Sequence, residues 1–145
     1  MTAAYISAMR GHRVTLFDQR SKLGGQINLA VKIPGKQEFY ETLRFYRVML
    51  EKYGVELKLG QCVNQDTIVA GNYDAVVLAT GVRPRELELE GADHAKVLSY
   101  LDVLDKECPV GNKVAVIGAG GIGIDVAHFL TAQTPYSGDV PEYLQ

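Results

Sequence analysis

At 145 residues with 47% apolar side chains, the chain can bury the core of an ordinary domain, which excludes a disordered or fibrous protein. A formal net charge of -2, with acids and bases interspersed, argues against a nucleic-acid partner, whose phosphates select a clustered basic face. No apolar run is long enough to span a bilayer and no basic-then-apolar leader opens the chain, so a cytoplasmic protein without a membrane partner is expected.

Taken in order, residues 1–10 carry small and apolar side chains at helical spacing, with Gly11 as the stop. Ala3, Ala4 and Ala8 would let this helix lie close on a sheet. Residues 13–18 (RVTLFD) read as a short strand ending in an acid. Residues 21–35 are irregular, punctuated by Gly24-Gly25 and Pro34-Gly35. A long helix is expected over 36–53, because Phe39, Leu43, Tyr46, Leu50 and Tyr53 share one face; Gly54 ends it. Residues 55–59 (VELKL) alternate as a strand with one buried face does. Ile68-Val69 is read as a further short strand. Residues 73–80 (YDAVVLAT) and 114–117 (VAVI) have the apolar runs of strands covered on both faces. Between them, Ser99 caps a short helix over 99–106, with Asp102 three residues on. Helical spacing resumes from Ile122 to about residue 132, and a polar loop closes the chain. Strands alternating with helices imply an α/β fold with a Rossmann-like parallel sheet. The pattern contains two nucleotide-binding units. Each reads as incomplete, so a chain truncated at both ends is expected.

The strongest motif is Gly118-Ala119-Gly120-Gly121-Ile122-Gly123, a GxGxxG between an apolar run and a helical pattern. Gly118 permits the tight turn, Gly120 lets a pyrophosphate approach the backbone, and Gly123 lets helix and strand pack closely. Amides at the positive helix end would then hold the phosphates. Asp18 occupies the position of a ribose-binding carboxylate, after a helix and a strand. The strand that would separate NAD from NADP is not found before Gln145.

The segment DQRSKLGGQINLAVKIPG at 18–35, with KQEFYETLR at 36–44, LATGVRPR at 78–85, KVLSYLDVL at 96–104 and VGNKVAVIGAGGIG at 110–123, resembles a known family. It is similar to the C-terminal half of bacterial NADPH-dependent 2,4-dienoyl-CoA reductases. These are related to trimethylamine dehydrogenase and to other enzymes that join a flavin barrel to a flavoprotein-disulfide-reductase-like module. The resemblance covers nearly the whole chain. It implies a two-dinucleotide-binding-domain fold, with 1–84 a partial FAD-binding domain and 85–145 a linker and the start of an NAD(P)-binding domain. The first strand and glycine loop of the FAD domain would be missing.

The resemblance also implies that NADPH reduces FAD, and that electrons then pass through a 4Fe-4S cluster to FMN in an upstream barrel that is the partner of this part. FMN and the cluster would belong to that barrel alone. Asp18 would hold the FAD ribose, Gly25 and Gln26 would lie along FAD, and Val63 would pair with the adenine edge. Ala79, Thr80 and Gly81 would form the turn near the flavin, and Gly118, Gly120 and Gly123 would receive the NADPH pyrophosphate. No catalytic acid or base and no metal ligand is expected in this chain. Cys62 and Cys108 have neither a CxxC nor a cluster spacing. Two other readings stand beside this one. The first is a reductase of the same architecture, of the disulfide reductase or glutamate synthase small-subunit type; the second is a catalytically inert fragment. His12, His94 and His128 read as surface or packing residues, Arg83 and Arg85 as a solvated loop, and Tyr40, Tyr46 and Tyr53 as helix-face packing. Lys36, Glu38 and Glu41 read as an exposed helix face.

Overall fold

A computed structural model describes residues 1–85 and 88–132. The polar loop expected after residue 132 lies outside the described residues. The chain divides into two compact units, Met1–Asn28 with Phe39–Gly81, and Leu29–Glu38 with Val82–Gln145.

The first unit is built on a parallel pair, β1 (Thr15–Asp18) and β2 (Glu56–Leu59), in register from Thr15↔Glu56 to Asp18↔Leu59. Helix α1 (Thr2–Met9) precedes β1, and helix α3 (Phe39–Lys52) leads into β2. Ala4, Leu50 and Val55 form the core, with Tyr5, Ala8, Val14, Leu16 and Leu23 packed around it. Leu50 is 0% exposed, as its place on the apolar stripe of α3 demands. Small residues on α1 allow close approach to α3, where the Tyr5 ring meets Phe45 edge-on at 5.9 Å. Thr2 Oγ1 and Tyr46 Oη are hydrogen-bonded at 2.7 Å.

Several elements differ from the sequence expectation. A one-turn helix, α2 (Ile27–Ala30), stands inside the stretch read as irregular. Helix α3 starts at Phe39 rather than at residue 36, because Pro34-Gly35 turns the chain first and Lys36 N–H donates to the Ile33 carbonyl. Ile68 and Val69 lie in helix α4 (Gln65–Gly71), not in a strand. The Asn64 side chain accepts from the Thr67 N–H at 2.9 Å, and this cap overrides two β-branched residues. Residues 73–80 join no ladder, and Val77 and Leu78 are 71% and 80% exposed. A strand exists only where its amides and carbonyls meet a neighbour's, and among the described residues the sheet has two strands.

In the second unit, Leu29, Ile33, Val103, Leu104 and Val126 form the core, flanked by Tyr100, Leu101, Phe129 and Leu130. Helix α5 (Tyr100–Leu104) carries the expected capping box between Ser99 and Asp102. Helix α6 (Gly121–Thr131) contributes Val126. Residues 114–117, expected to form a strand, are also outside any ladder. Lys36 is not on an exposed helix face. Its Nζ reaches both carboxylate oxygens of Asp125, at 2.6 and 2.7 Å. The observed architecture is α/β with a parallel sheet. Among the described residues no helix is long and apolar enough to cross a membrane.

Candidate dinucleotide-binding site

The glycine turn enters α6 at an exposed corner of the second unit. Gly118 has φ +110°, a backbone conformation that side-chain-bearing residues rarely adopt. Gly120 is the N-cap of α6, with extended backbone, and Ile124 N–H donates to its carbonyl as the first helical bond. The amides of Gly121, Ile122 and Gly123 therefore precede the intrahelical ladder. No acidic side chain lies in this first turn.

The three motif glycines have different surroundings. A Cβ at Gly120 would meet nothing within 4 Å, so the space beside its backbone is open. A Cβ at Gly123 would land on the Gly118 carbonyl oxygen and lie 3.6 Å from Val116 Cγ1. One glycine thus leaves room for a ligand, and another closes helix against turn. Helix α6 is held by Val126 in the core and by the Lys36–Asp125 ion pair.

In the first unit, Asp18 ends β1 and Leu59 ends β2, so both point to the carboxyl edge of the parallel pair. This is the edge at which α/β sheets receive ligands. One Asp18 carboxylate oxygen accepts from the Arg20 N–H at 2.9 Å, which fixes the side chain. Gln61 N–H donates to the Asp18 carbonyl and Gly60 N–H to the Arg20 carbonyl, so the 60–63 loop lies beside Asp18. Val63 is half-buried in that loop, just before the α4 cap. Among the described residues no backbone hydrogen bond engages Val63.

Gly25 and exposed Gln26 follow on the loop after β1. Asn28 Nδ2 donates to the carbonyls of Leu23 and Gly25, at 2.9 and 3.2 Å, and shapes that loop. A Cβ at Gly24 would sit 2.6 Å from Asn28 Nδ2, whereas one at Gly25 would meet open space. Ala79, Thr80 and Gly81 are exposed at the end of the first unit. Asp18, Gly25, Gln26, Val63 and 79–81 therefore belong to one unit, and Gly118, Gly120 and Gly123 to the other.

Sequence reasoning missed Asn28 as a loop-shaping residue and Lys36–Asp125 as the brace of α6. The ion pair joins residues 89 positions apart, a distance at which no spacing rule operates. Lys32 makes a second such link, to Glu107 at 2.7 Å, and holds the Glu107 carboxyl below its ordinary range. Cys62 is exposed, Cys108 is half-buried, and both are free thiols.

An open glycine at a helix N-cap with a closing glycine three residues on, and an acid at the carboxyl edge of a parallel pair, are each features found in dinucleotide-binding α/β proteins. The chain belongs to the pyridine nucleotide-disulphide oxidoreductase family, which it matches over residues 1–134. It is 40% identical over 138 residues to cinnamate reductase of Clostridium sporogenes, covering 92% of this chain and 20% of that protein. It is 36% identical to NADH oxidase of Thermoanaerobacter brockii, covering 90% of this chain and 21% of the relative. Among solved structures it is similar to 2-naphthoyl-CoA reductase in complex with 2-naphthoyl-CoA. That match has a TM-score of 0.84 and 35% identity, and covers 88% of this chain and 19% of the other. The chain thus spans about a fifth of the length of these relatives.

Proposed function

We propose that this chain is the electron-input part of a larger flavoprotein reductase, binding FAD on its first unit and NADPH on its second. The observation that carries the reading is the contrast within one motif. The backbone is open at Gly120 and closed at Gly123, which is the division of labour a diphosphate at a helix N-terminus requires. When bound, NADPH would supply a hydride and FAD would accept it as an electron pair with a proton equivalent.

The chain's own residues bind and orient. Gly118 sets the turn, and the amides at Gly120–Gly123 hold the NADPH diphosphate. Asp18, anchored by the Arg20 N–H, would accept hydrogen bonds from the FAD ribose. The Val63 backbone would read the adenine edge. Gly25, Gln26 and the 79–81 turn would line the remainder of FAD. No proton donor is assigned, because hydride transfer to a flavin needs alignment and charge placement rather than acid–base catalysis.

The parent is proposed to resemble 2,4-dienoyl-CoA reductase, with FMN and a 4Fe-4S cluster in a partner barrel of the same polypeptide, acting in fatty-acid breakdown in the cytoplasm. The names of two relatives support an acceptor of this kind. Cinnamate and 2-naphthoyl-CoA both carry unsaturation conjugated to a carbonyl carbon. The test is anaerobic addition of NADPH to the FAD-loaded protein. The reading expects bleaching of the oxidised-flavin band, and slower bleaching in Gly120→Ala. A protein that holds FAD but is not bleached by NADPH or NADH contradicts it.

A further inference from the structure

The segment Leu29–Glu38 is flanked on both sides by the first unit yet belongs to the second. Leu29 and Ile33 enter the core with Val126 of α6. The chain then turns at Gly35, and Lys36 Nζ is held by both oxygens of Asp125. Asp125 is the sole acid in the α6 sequence GIGIDVAHFLT. It lies four residues after Gly121, so the two share a helix face, and helical side chains lean toward the N-terminus. Its carboxylate is thereby within about one turn, ~5.4 Å of rise, of the amides that precede the helical ladder. A bare carboxylate at that spot would oppose a bound diphosphate.

We propose that Lys36 is a positioning residue for the pyridine nucleotide: its ammonium cancels the Asp125 charge beside the glycine turn while tying the Leu29–Glu38 segment to α6. The proposal rests on the reading that the diphosphate sits at Gly120. It assigns Lys36 and Asp125 unequal roles, although they form one ion pair. Lys36 is needed because Asp125 is there. Loss of the lysine leaves a repelling charge, whereas loss of the aspartate leaves a cation that attracts phosphate.

The test is the NADPH dissociation constant of the intact chain at low salt, read by nucleotide fluorescence, with thermal melting of each variant. Lys36→Met should weaken binding about fivefold, and this loss should shrink in high salt. Lys36→Arg should bind like the parent. Asp125→Asn should bind as tightly as the parent or more tightly, and Lys36→Met with Asp125→Asn should recover near-parental affinity. Equal weakening by Lys36→Met and Asp125→Asn would mean a purely mechanical brace and overturns the proposal. An unchanged constant in Lys36→Met overturns it as well. If the parent chain itself shows no saturable NADPH binding, the site reading fails, and that result is distinct from either of these.

Discussion

Gly120 and Gly123 sit three residues apart and answer substitution in opposite ways. Gly123→Ala drives a methyl group into the Gly118 carbonyl oxygen, and neither backbone can yield without reshaping the turn. It should cost about 2 kcal/mol or more of stability and lower the melting temperature visibly. Gly120→Ala meets open space and its extended backbone suits alanine, so the melt should barely move. Its effect should fall on binding: the methyl would occupy the proposed diphosphate approach and weaken NADPH about tenfold, the equivalent of one charge-assisted hydrogen bond. Calorimetric titration beside a melting curve separates the two variants. These glycines were legible in the sequence because a turn is local, and six consecutive residues encode it. Lys36 and Asp125 were not, because their pairing depends on the tertiary path of the Leu29–Glu38 segment.

At the scale of elements, local signals succeeded where the chain itself supplies the partners. The capping box of α5 forms as read, with Ser99 N–H donating to Asp102 Oδ2 at 2.8 Å. Hydrogen bonds from Lys106 and then Ser99 hold the Asp102 carboxyl well below the usual carboxylate range. A depressed folded pKa contributes stability above the unfolded value and loses it as pH falls toward the folded one. The melting gap between the parent and Asp102→Asn should therefore be constant from neutral pH down to about 5 and narrow below about pH 4.

Local signals failed where an element needs a distant neighbour. The apolar runs at 73–80 and 114–117 have strand composition, but no strand pairs with them among the described residues. Ile68 and Val69 have strand propensity, and the Asn64 cap outweighs it. Apolar character alone is thus a poor guide to energetic weight in this chain. Ile33, 1% exposed between α5 and α6 residues, should cost roughly 2–5 kcal/mol on replacement by alanine. Leu78, 80% exposed, should cost no more than about 0.5 kcal/mol. Denaturant midpoints of the two variants check the contrast.

At the scale of the whole molecule, two units carry one proposed nucleotide site each. Each unit has its own core, centred on Leu50 in the first and Ile33 in the second. Family membership covers both, while about four-fifths of the relatives' length lies outside what this chain spans. The central claim is that backbone amides at the start of α6 hold a dinucleotide diphosphate. Amide chemical shifts followed by NMR during NADPH titration test it most directly. The account predicts saturable shifts concentrated at Gly120, Gly121, Ile122 and Gly123, with those of α4 unmoved. Saturation with these four amides unchanged, or the largest shifts elsewhere, contradicts it.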